Sequence, residues 1–211
     1  MMAAVKSAKP PRRKPPKTSP TAPEPVPAGR QSVRIVGGSW RGRRIGFPDL
    51  PGLRPTPDRV RETLFNWLQQ DVADARCLDL FAGSGALGLE ALSRSAAEVI
   101  FIEQQRIAAA AIQRLLADWG AAGGEVRCDD AVRYLSGPPL QRFNVAFVDP
   151  PYGSGALARC AGLLAQGWLA PGARIYVEHA RREPVAPLPE GWELLRSGTA
   201  GEVGYHLYSA G

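Results

Sequence analysis

The sequence has few of the side chains that bind metals or form disulfides. Its 211 residues include three cysteines and two histidines. Cys77, Cys128 and Cys160 stand far apart, without the paired spacing of a zinc site or a disulfide framework. We therefore interpret all three as core thiols and expect no metal. His179 and His206 fall in or beside strand-like runs, and we assign them no role in catalysis.

Long apolar runs are also missing. No stretch is long enough to span a bilayer, and the first residues lack the apolar segment of a signal peptide. These absences lead us to expect a cytoplasmic protein with no membrane partner. The length of 211 residues and the hydrophobic content of 45% suit one α/β domain with a modest appendage.

Lysine does not occur after residue 17, and positive charge is concentrated at the front of the chain. Residues 1–30 hold eight prolines, seven basic residues and a single acid, which predicts a disordered basic tail. Residues 31–70 add seven arginines against three acids, whereas acids outnumber arginines in residues 71–211. A guanidinium group can bind two phosphate oxygens at once. The first seventy residues therefore favour a polyanionic partner.

A small hairpin and a helix are predicted after the tail. The runs 33–36 and 43–47 are rich in strand-forming residues and are joined by a glycine-containing link. Thr56 is interpreted as the N-cap of a helix that continues to about Gln70, with Pro57 in its first position.

From residue 76 onward, short apolar strands alternate with helical stretches. The predicted strands are 77–81, 99–103, 125–128, 143–148 and 174–178. The predicted helices between them are 86–94, 106–119, 131–135 and 155–166. Such alternation predicts a parallel sheet covered on both faces. Two further strand-like runs, 193–197 and 203–208, have no helix between them and predict an antiparallel hairpin at one edge of the sheet.

A glycine-rich turn follows the first of these strands. Residues 83–88 form the pattern G-x-G-x-x-G between a strand and a helix, which is the context that gives the pattern meaning. Glycines let the backbone bend sharply and approach a ligand closely. Glu103, at the end of the next strand, is suited to hold ribose hydroxyls. Alone, this motif is compatible with a nicotinamide, a flavin or S-adenosylmethionine.

A second motif, Asp149-Pro150-Pro151-Tyr152, follows the fourth strand, where open α/β sheets bind their ligands. Neither proline has an N–H group, so this backbone offers acceptors without donors. An amino group on a flat base fits such a rim, because its hydrogens donate to Asp149 and a backbone carbonyl while Tyr152 stacks on the ring. With the glycine turn before it, the motif predicts methyl transfer to an exocyclic amine of a nucleic-acid base.

These two motifs resemble the amino-methyltransferase branch of the Rossmann-like methyltransferases. Two further runs, residues 34–43 and 54–68, are similar to the bacterial RsmD family, which methylates guanine N2 in small-subunit ribosomal RNA. The similarity extends from about residue 33 to Tyr208. Tyr152 stands where that family often has phenylalanine, so a stacking ring is retained.

The resemblance implies an α/β, Rossmann-like class I methyltransferase fold. Its sheet is expected to be mostly parallel and doubly wound, with an antiparallel C-terminal edge hairpin, and to follow a small N-terminal β-hairpin and helix. The implied domains are a basic tail (1–30), an RNA-binding extension (31–70) and a cofactor-binding methyltransferase domain (71–211). The implied cofactor is S-adenosyl-L-methionine. The implied partner is small-subunit ribosomal RNA or the assembling 30S particle, and we expect a monomer.

The resemblance also assigns residues to roles. The cofactor site is expected to comprise Asp79, Phe81, Gly83, Gly85, Glu103, Asp130 and Ala131. Asp129 is the alternative to Asp130 for the adenine amine. The target guanine is expected to lie against Asp149, Pro150, Pro151 and Tyr152. RNA contacts are expected from Arg34, Arg41, Arg43, Arg54, Arg59 and Arg61.

Three other functions are compatible with part of the pattern. An N6-adenine or N4-cytosine DNA methyltransferase would share the Asp-Pro-Pro-Tyr motif, but the chain has no spare segment for a sequence-reading domain. A nicotinamide-dependent oxidoreductase is supported only by the glycine turn. A non-catalytic RNA-binding protein would have no need of Asp149.

Overall fold

The computed structural model describes residues 31–48, 50 and 56–211, so the basic tail and Arg54 lie outside the described residues. The described part of the chain contains nine strands and five helices. They are β1 (Gln31–Arg34), β2 (Arg44–Phe47), α1 (Asp58–Trp67), β3 (Arg76–Asp79), α2 (Ala86–Ser93), β4 (Glu98–Ile102), α3 (Arg106–Trp119), β5 (Gly124–Arg127), α4 (Ala131–Leu135), β6 (Phe143–Val148), α5 (Ala156–Leu164), β7 (Leu169–Ala180), β8 (Trp192–Ala200) and β9 (Val203–Ala210).

Seven strands form the main sheet, in the order β5-β4-β3-β6-β7-β9-β8. The five strands β5, β4, β3, β6 and β7 pair in parallel, whereas β9 and β8 complete the sheet with antiparallel pairs. The predicted class I methyltransferase fold, with its antiparallel C-terminal edge, is confirmed. The chain crosses the sheet between β5 and β6, so the carboxyl ends of β3 and β6 are neighbours at the switch point where such folds bind ligands.

Two apolar cores cover the two faces of the sheet. Successive residues of a strand face opposite sides, and Cys77 and Leu78 accordingly belong to different cores. One core lies under the β1–β2 hairpin and helices α1, α2 and α3, and the other lies under α4 and α5. Both faces of the sheet are therefore covered by apolar side chains, which explains why the strands are nearly continuous apolar runs in the sequence.

The N-terminal hairpin is held against the main domain by a buried carboxylate. Ile35 and Ile45 are fully buried in the first core. Strand β1 ends earlier than the sequence predicts because the N–H groups of Val36 and Gly37 turn away and donate to Glu90 on α2, both at 2.8 Å. A charge on an otherwise apolar eight-residue helix was the only sequence signal for this contact.

Cysteine burial follows the position of each strand in the sheet. Cys77 and Cys160 are buried, as predicted. Cys128 is exposed, so its interpretation as a core thiol is wrong. It comes directly after β5, which is the edge strand of the sheet and has only half-buried or exposed residues. No helix in the described ranges is long and apolar enough to cross a membrane.

Candidate active site

A cleft of about 1010 Å³ opens at the carboxyl ends of β3, β4, β6 and β7. The structure brings together in this cleft all but one of the residues assigned to the cofactor and the base. Those lining it are Asp79, Phe81, Gly83, Glu103, Asp130, Ala131, Asp149, Pro150, Pro151 and Tyr152. Gly85 does not line the cleft, and its contribution is to the shape of the turn.

The turn after β3 depends on glycine at two positions. Gly85 has a φ of +77° and directly precedes α2, a conformation that L side chains rarely adopt. Gly88 lies where a Cβ atom would come within 2.2 Å of the Phe101 ring, so it lets α2 pack closely on β4. The backbone of this turn therefore runs directly beside the cleft, where a ligand can approach it.

Two buried acids stand on this side of the cleft. Glu103 Oε2 accepts the N–H of Gly83 at 2.8 Å, and its Oε1 accepts the N–H of Gln105 at 2.7 Å. Asp79 accepts the N–H of Gly88 at 3.1 Å. Burial raises the pKa of Asp79 to about 7, with the Gly88 hydrogen bond opposing the rise and the charge of Glu103 adding to it. The wall formed by Asp79, the glycine turn and Glu103, together with Asp130, is called the cofactor wall below.

Asp130 and Asp129 have different partners at the start of α4. Asp130 is the N-cap of this helix and accepts the N–H of Arg133 at 2.9 Å. The Asp129 carboxylate forms an ion pair with the Arg133 guanidinium. Both aspartates and Ala131 line the cleft. Each aspartate makes its contacts through one carboxylate oxygen, so both remain candidates for the adenine amine.

The Asp149-Pro150-Pro151-Tyr152 motif forms the part of the cleft wall that follows β6, next to the end of β3. Pro150 is buried, Tyr152 is 48% exposed, and Asp149 is half-buried. No donor among the described residues bonds the Asp149 carboxylate. Burial and the neighbouring charges of Glu178 and Asp79 raise the pKa of Asp149 well above its ordinary value.

Sequence reasoning missed Glu178, which lines the same wall. Glu178 is 3% exposed on β7, and its Oε1 accepts hydrogen bonds from Tyr176 at 2.7 Å and Thr56 at 3.2 Å. Thr56 is thus not a helix cap: Pro57 occupies the position before α1, and no side chain caps that helix. The strand-end rule that identified Asp149 applies equally to Glu178 and is the signal that was available. The wall containing Asp149, Pro150, Pro151, Tyr152 and Glu178 is called the base wall below.

Arg61 is not available to bind RNA, which corrects its sequence-based assignment. Its side chain is completely buried between α1, α2 and the hairpin. The guanidinium donates to the carbonyl oxygens of Arg34 at 2.7 Å and Thr56 at 3.2 Å, and pairs with Asp58 at 2.6 Å and Glu90 at 3.4 Å. The α1 periodicity could not reveal this role, because the acceptors lie on other elements.

Among the described residues, four other arginines assigned to RNA binding keep their side chains at the surface. Arg41, Arg43 and Arg59 are exposed. Arg34 is also exposed, although it pairs with Asp58 at 2.9 Å. The Arg43 guanidinium lies 5.5 Å from the centre of the Trp119 ring, which holds it against α3.

Comparison with known proteins identifies the family. The family model described as Conserved hypothetical protein 95 matches residues 33–209. The Ribosomal RNA small subunit methyltransferase D of Escherichia coli (strain K12) is 48% identical over 188 residues, which cover 88% of this chain and 93% of that protein. The chain belongs to the RsmD family. The Ribosomal RNA small subunit methyltransferase D of Haemophilus influenzae is 42% identical over 187 residues, which cover 87% of this chain and 96% of that protein.

Solved structures of relatives agree with this assignment. A putative methyltransferase from Escherichia coli, 47% identical, superposes with a TM-score of 0.79 over 85% of this chain and 98% of its own. An RNA methyltransferase from Salinibacter ruber in complex with S-adenosyl-L-homocysteine has a TM-score of 0.58 over 74% of this chain and 94% of its own. At 16% identity, that second likeness concerns the fold alone. In the described residues, no group of three or more His, Cys, Asp or Glu side chains is arranged to hold a metal ion.

Proposed function

We propose that this RsmD-family chain transfers a methyl group from S-adenosyl-L-methionine to the exocyclic N2 amine of a guanine in small-subunit ribosomal RNA. The observation that carries this proposal is the base wall, where Asp149 and the donor-free Pro150-Pro151 backbone line the same cleft as the cofactor wall. The names of the relatives, Ribosomal RNA small subunit methyltransferase D, support the choice of RNA.

The residues of the cofactor wall fit S-adenosyl-L-methionine. Each Glu103 oxygen accepts one backbone N–H and retains a second lone pair, so the carboxylate is oriented and can still accept bonds from ribose hydroxyls. Asp130 and Ala131 line the same cleft, and we assign them to the adenine end. Asp79 contributes negative charge beside the glycine turn, which suits a cationic ligand. When bound, the cofactor supplies an electrophilic methyl group on its sulfonium.

The base wall accounts for activation of a weak nucleophile. The lone pair of an exocyclic guanine nitrogen is delocalised into the ring. Hydrogen bonds from its two hydrogens to Asp149 and the Pro150 carbonyl favour a geometry in which the lone pair is localised on nitrogen. Orientation and fixed electrostatics of this kind account for most of the rate enhancement.

Asp149 is also suited to receive the proton that the nitrogen loses. Its pKa is raised by burial and by the charges of Glu178 and Asp79, so its carboxylate is a better proton acceptor than an exposed one. The amine becomes acidic as the new bond forms, so no stronger base is required. Tyr152 is half exposed and lines the cleft, and we assign it to stacking on the base.

RNA binding is assigned to the exposed arginines of the N-terminal region and to the basic tail. Arg34, Arg41, Arg43 and Arg59 present guanidinium groups on or beside the hairpin. The hairpin is fixed to α2 through Glu90, and α2 begins at the glycine turn. RNA held by the hairpin is therefore positioned relative to the cleft by a short, buried connection.

The class of acceptor is tested with tritiated S-adenosyl-L-methionine. The full chain is incubated in parallel with small ribosomal subunits from a strain lacking the gene, with their naked RNA, and with duplex DNA. We expect label in the ribosomal RNA of at least one of the first two substrates and none in DNA. Label in DNA alone would overturn the proposal.

A further inference from the structure

Glu178 is a buried carboxylate in the cleft to which the mechanism above gives no contact with the substrate. It lies beside Asp149, because Val148 of β6 and Val177 of β7 are paired in parallel register and each acid follows its valine. Neighbouring strands are about 4.8 Å apart. The two acids thus stand side by side on the base wall.

The two oxygens of Glu178 have different surroundings. Oε1 accepts the hydroxyl protons of Tyr176 at 2.7 Å and Thr56 at 3.2 Å. Oε2 accepts no hydrogen bond from the described residues, and it is not sealed from solvent, since Glu178 lines the cleft. The hydroxyls thus fix the side chain through one oxygen and leave the other as an acceptor facing the site.

We infer that Glu178 selects guanine over other bases by accepting a hydrogen bond from guanine N1–H while Asp149 and the Pro150 carbonyl hold the N2 amine. This inference rests on the proposed function and names a specificity residue for it. Enzymes that modify bases read the Watson–Crick edge of the extruded base in this way.

The chemistry of the three amino-bearing bases explains why a second carboxylate discriminates. Guanine has three adjacent donors on this edge, one on N1 and two on N2. Adenine and cytosine have an amine beside a ring nitrogen that is an acceptor. That nitrogen would face the Glu178 carboxylate with two lone pairs opposed and no proton between them, which leaves buried polar groups unpaired.

Tyr176 and Thr56 hold the Glu178 side chain in one orientation, because both hydroxyls donate to the same oxygen. In a Glu178→Gln variant, the two hydroxyls continue to donate to the side-chain oxygen, which places the amide NH2 group at the Oε2 position. The substitution is isosteric and keeps both anchoring bonds. It converts the acceptor facing the cleft into a donor, so its effect on base choice is distinct from a loss of packing.

The test uses small-subunit RNA in which the target guanine, once mapped, is replaced by 2-aminopurine. This base retains the N2 amine that receives the methyl group but has an acceptor at N1. Rates of methyl transfer to guanine and 2-aminopurine substrates are compared for the wild type and for Glu178→Gln. We expect the wild type to prefer guanine by at least about 100-fold. In Glu178→Gln the preference should fall at least about tenfold.

Glu193→Gln is the matched control, since Glu193 is an exposed glutamate on β8 that is not among the residues lining the cleft. Its guanine preference should equal that of the wild type. If Glu178→Gln does not fold, Tyr176→Phe replaces it, because it frees the carboxylate to rotate and should lower the preference at least about threefold. An unchanged preference in the folded variant overturns the inference while leaving guanine methylation intact. A wild type that methylates no guanine overturns the proposed function instead.

Discussion

The two walls of the cleft treat their carboxylates in opposite ways. On the cofactor wall, Glu103 accepts two backbone N–H groups, and Asp79 and Asp130 accept one each. On the base wall, Glu178 accepts only hydroxyl protons, and Asp149 accepts nothing from the described residues.

The carboxylates of the two walls are suited to different tasks, those of the cofactor wall to holding a ligand and those of the base wall to taking part in the reaction. Backbone N–H bonds fix the direction of a carboxylate and favour its charged form, although the single bond to Asp79 does not offset burial, which raises its pKa to about 7. Asp149 has no such bond among the described residues, its pKa is raised, and its carboxylate is open to a donor in the cleft. The first arrangement suits binding of a ligand that does not change in that region. The second suits a substrate that brings its own donors and then loses a proton.

The largest effect is expected from removing the Asp149 carboxylate. Asp149→Ala should lower the single-turnover rate at saturating cofactor about 100-fold, which corresponds to about 3 kcal/mol, because the lost hydrogen bond is made mainly in the transition state. Cofactor affinity, measured by calorimetry, should be nearly unchanged. Lost affinity with an unchanged rate would place Asp149 on the cofactor side of the comparison.

Glu103→Ala should give the converse result. A carboxylate that pairs with two hydroxyls makes charge-assisted contacts, and its loss should weaken cofactor binding by about 1.5–3 kcal/mol. Part of this loss reflects release of the Gly83 and Gln105 N–H groups. Glu103→Gln keeps one acceptor oxygen and is the control. If calorimetry gives wild-type affinity for the alanine variant, the ribose site belongs to another acid, with Asp129 and Asp130 as candidates.

A smaller effect is expected from pH. The pKa of Asp79 is raised to about 7, so the folded protein loses its negative charge as the pH falls through that value. A cationic cofactor binds the ionised form better, so its affinity should decrease from pH 8 to pH 6 by up to about tenfold. Titration calorimetry at several pH values measures this. Asp79→Asn should flatten the profile, and an equally steep profile in that variant would exclude Asp79 as its cause.

The effect of Asp79 on folding stability changes with pH in the opposite direction to its effect on cofactor affinity. Because the pKa of Asp79 in the folded protein is about 7, above the ordinary value of an aspartate, the ligand-free folded state binds more protons than the unfolded state between those two values. The contribution of Asp79 therefore favours folding below about pH 4 and is lost as the pH rises through about 7. Cofactor binding and ligand-free stability should thus respond in opposite directions to acid.

The smallest effect is expected in the salt dependence of RNA affinity, from residues outside both walls. Replacing Arg41, which is exposed on the hairpin link, with Gln should reduce the salt slope of log RNA affinity by roughly 0.7–0.9 if it neutralises one phosphate. Deleting residues 1–30 should flatten the slope further and leave saturated turnover intact. Arg142→Gln, at the amino end of β6 and away from the cleft, is the control. Equal salt slopes in all these proteins would show that the N-terminal region does not bind RNA.

The sequence predicted what depends on local pattern. The strand–helix alternation, the antiparallel edge hairpin, the glycine turn and the position of Asp149 follow from strand ends and from residues adjacent in the chain. Contacts between distant residues were not predictable in this way. Thr56 and Glu178 are 122 positions apart, and Arg61 is buried because Glu90, Asp58 and two carbonyls surround it. A periodic pattern predicts which face of a helix is buried, but it does not predict which charged residues of other elements contact that face.

The most direct test of the account is the identity of the methylated nucleoside. Small-subunit RNA labelled by the wild-type protein is digested to nucleosides and analysed by mass spectrometry against synthetic standards. We predict N2-methylguanosine, at a single position, and its loss with Asp149→Ala. Recovery of N6-methyladenosine or N4-methylcytidine instead would contradict the account, because both bases present an acceptor where the base wall offers only acceptors.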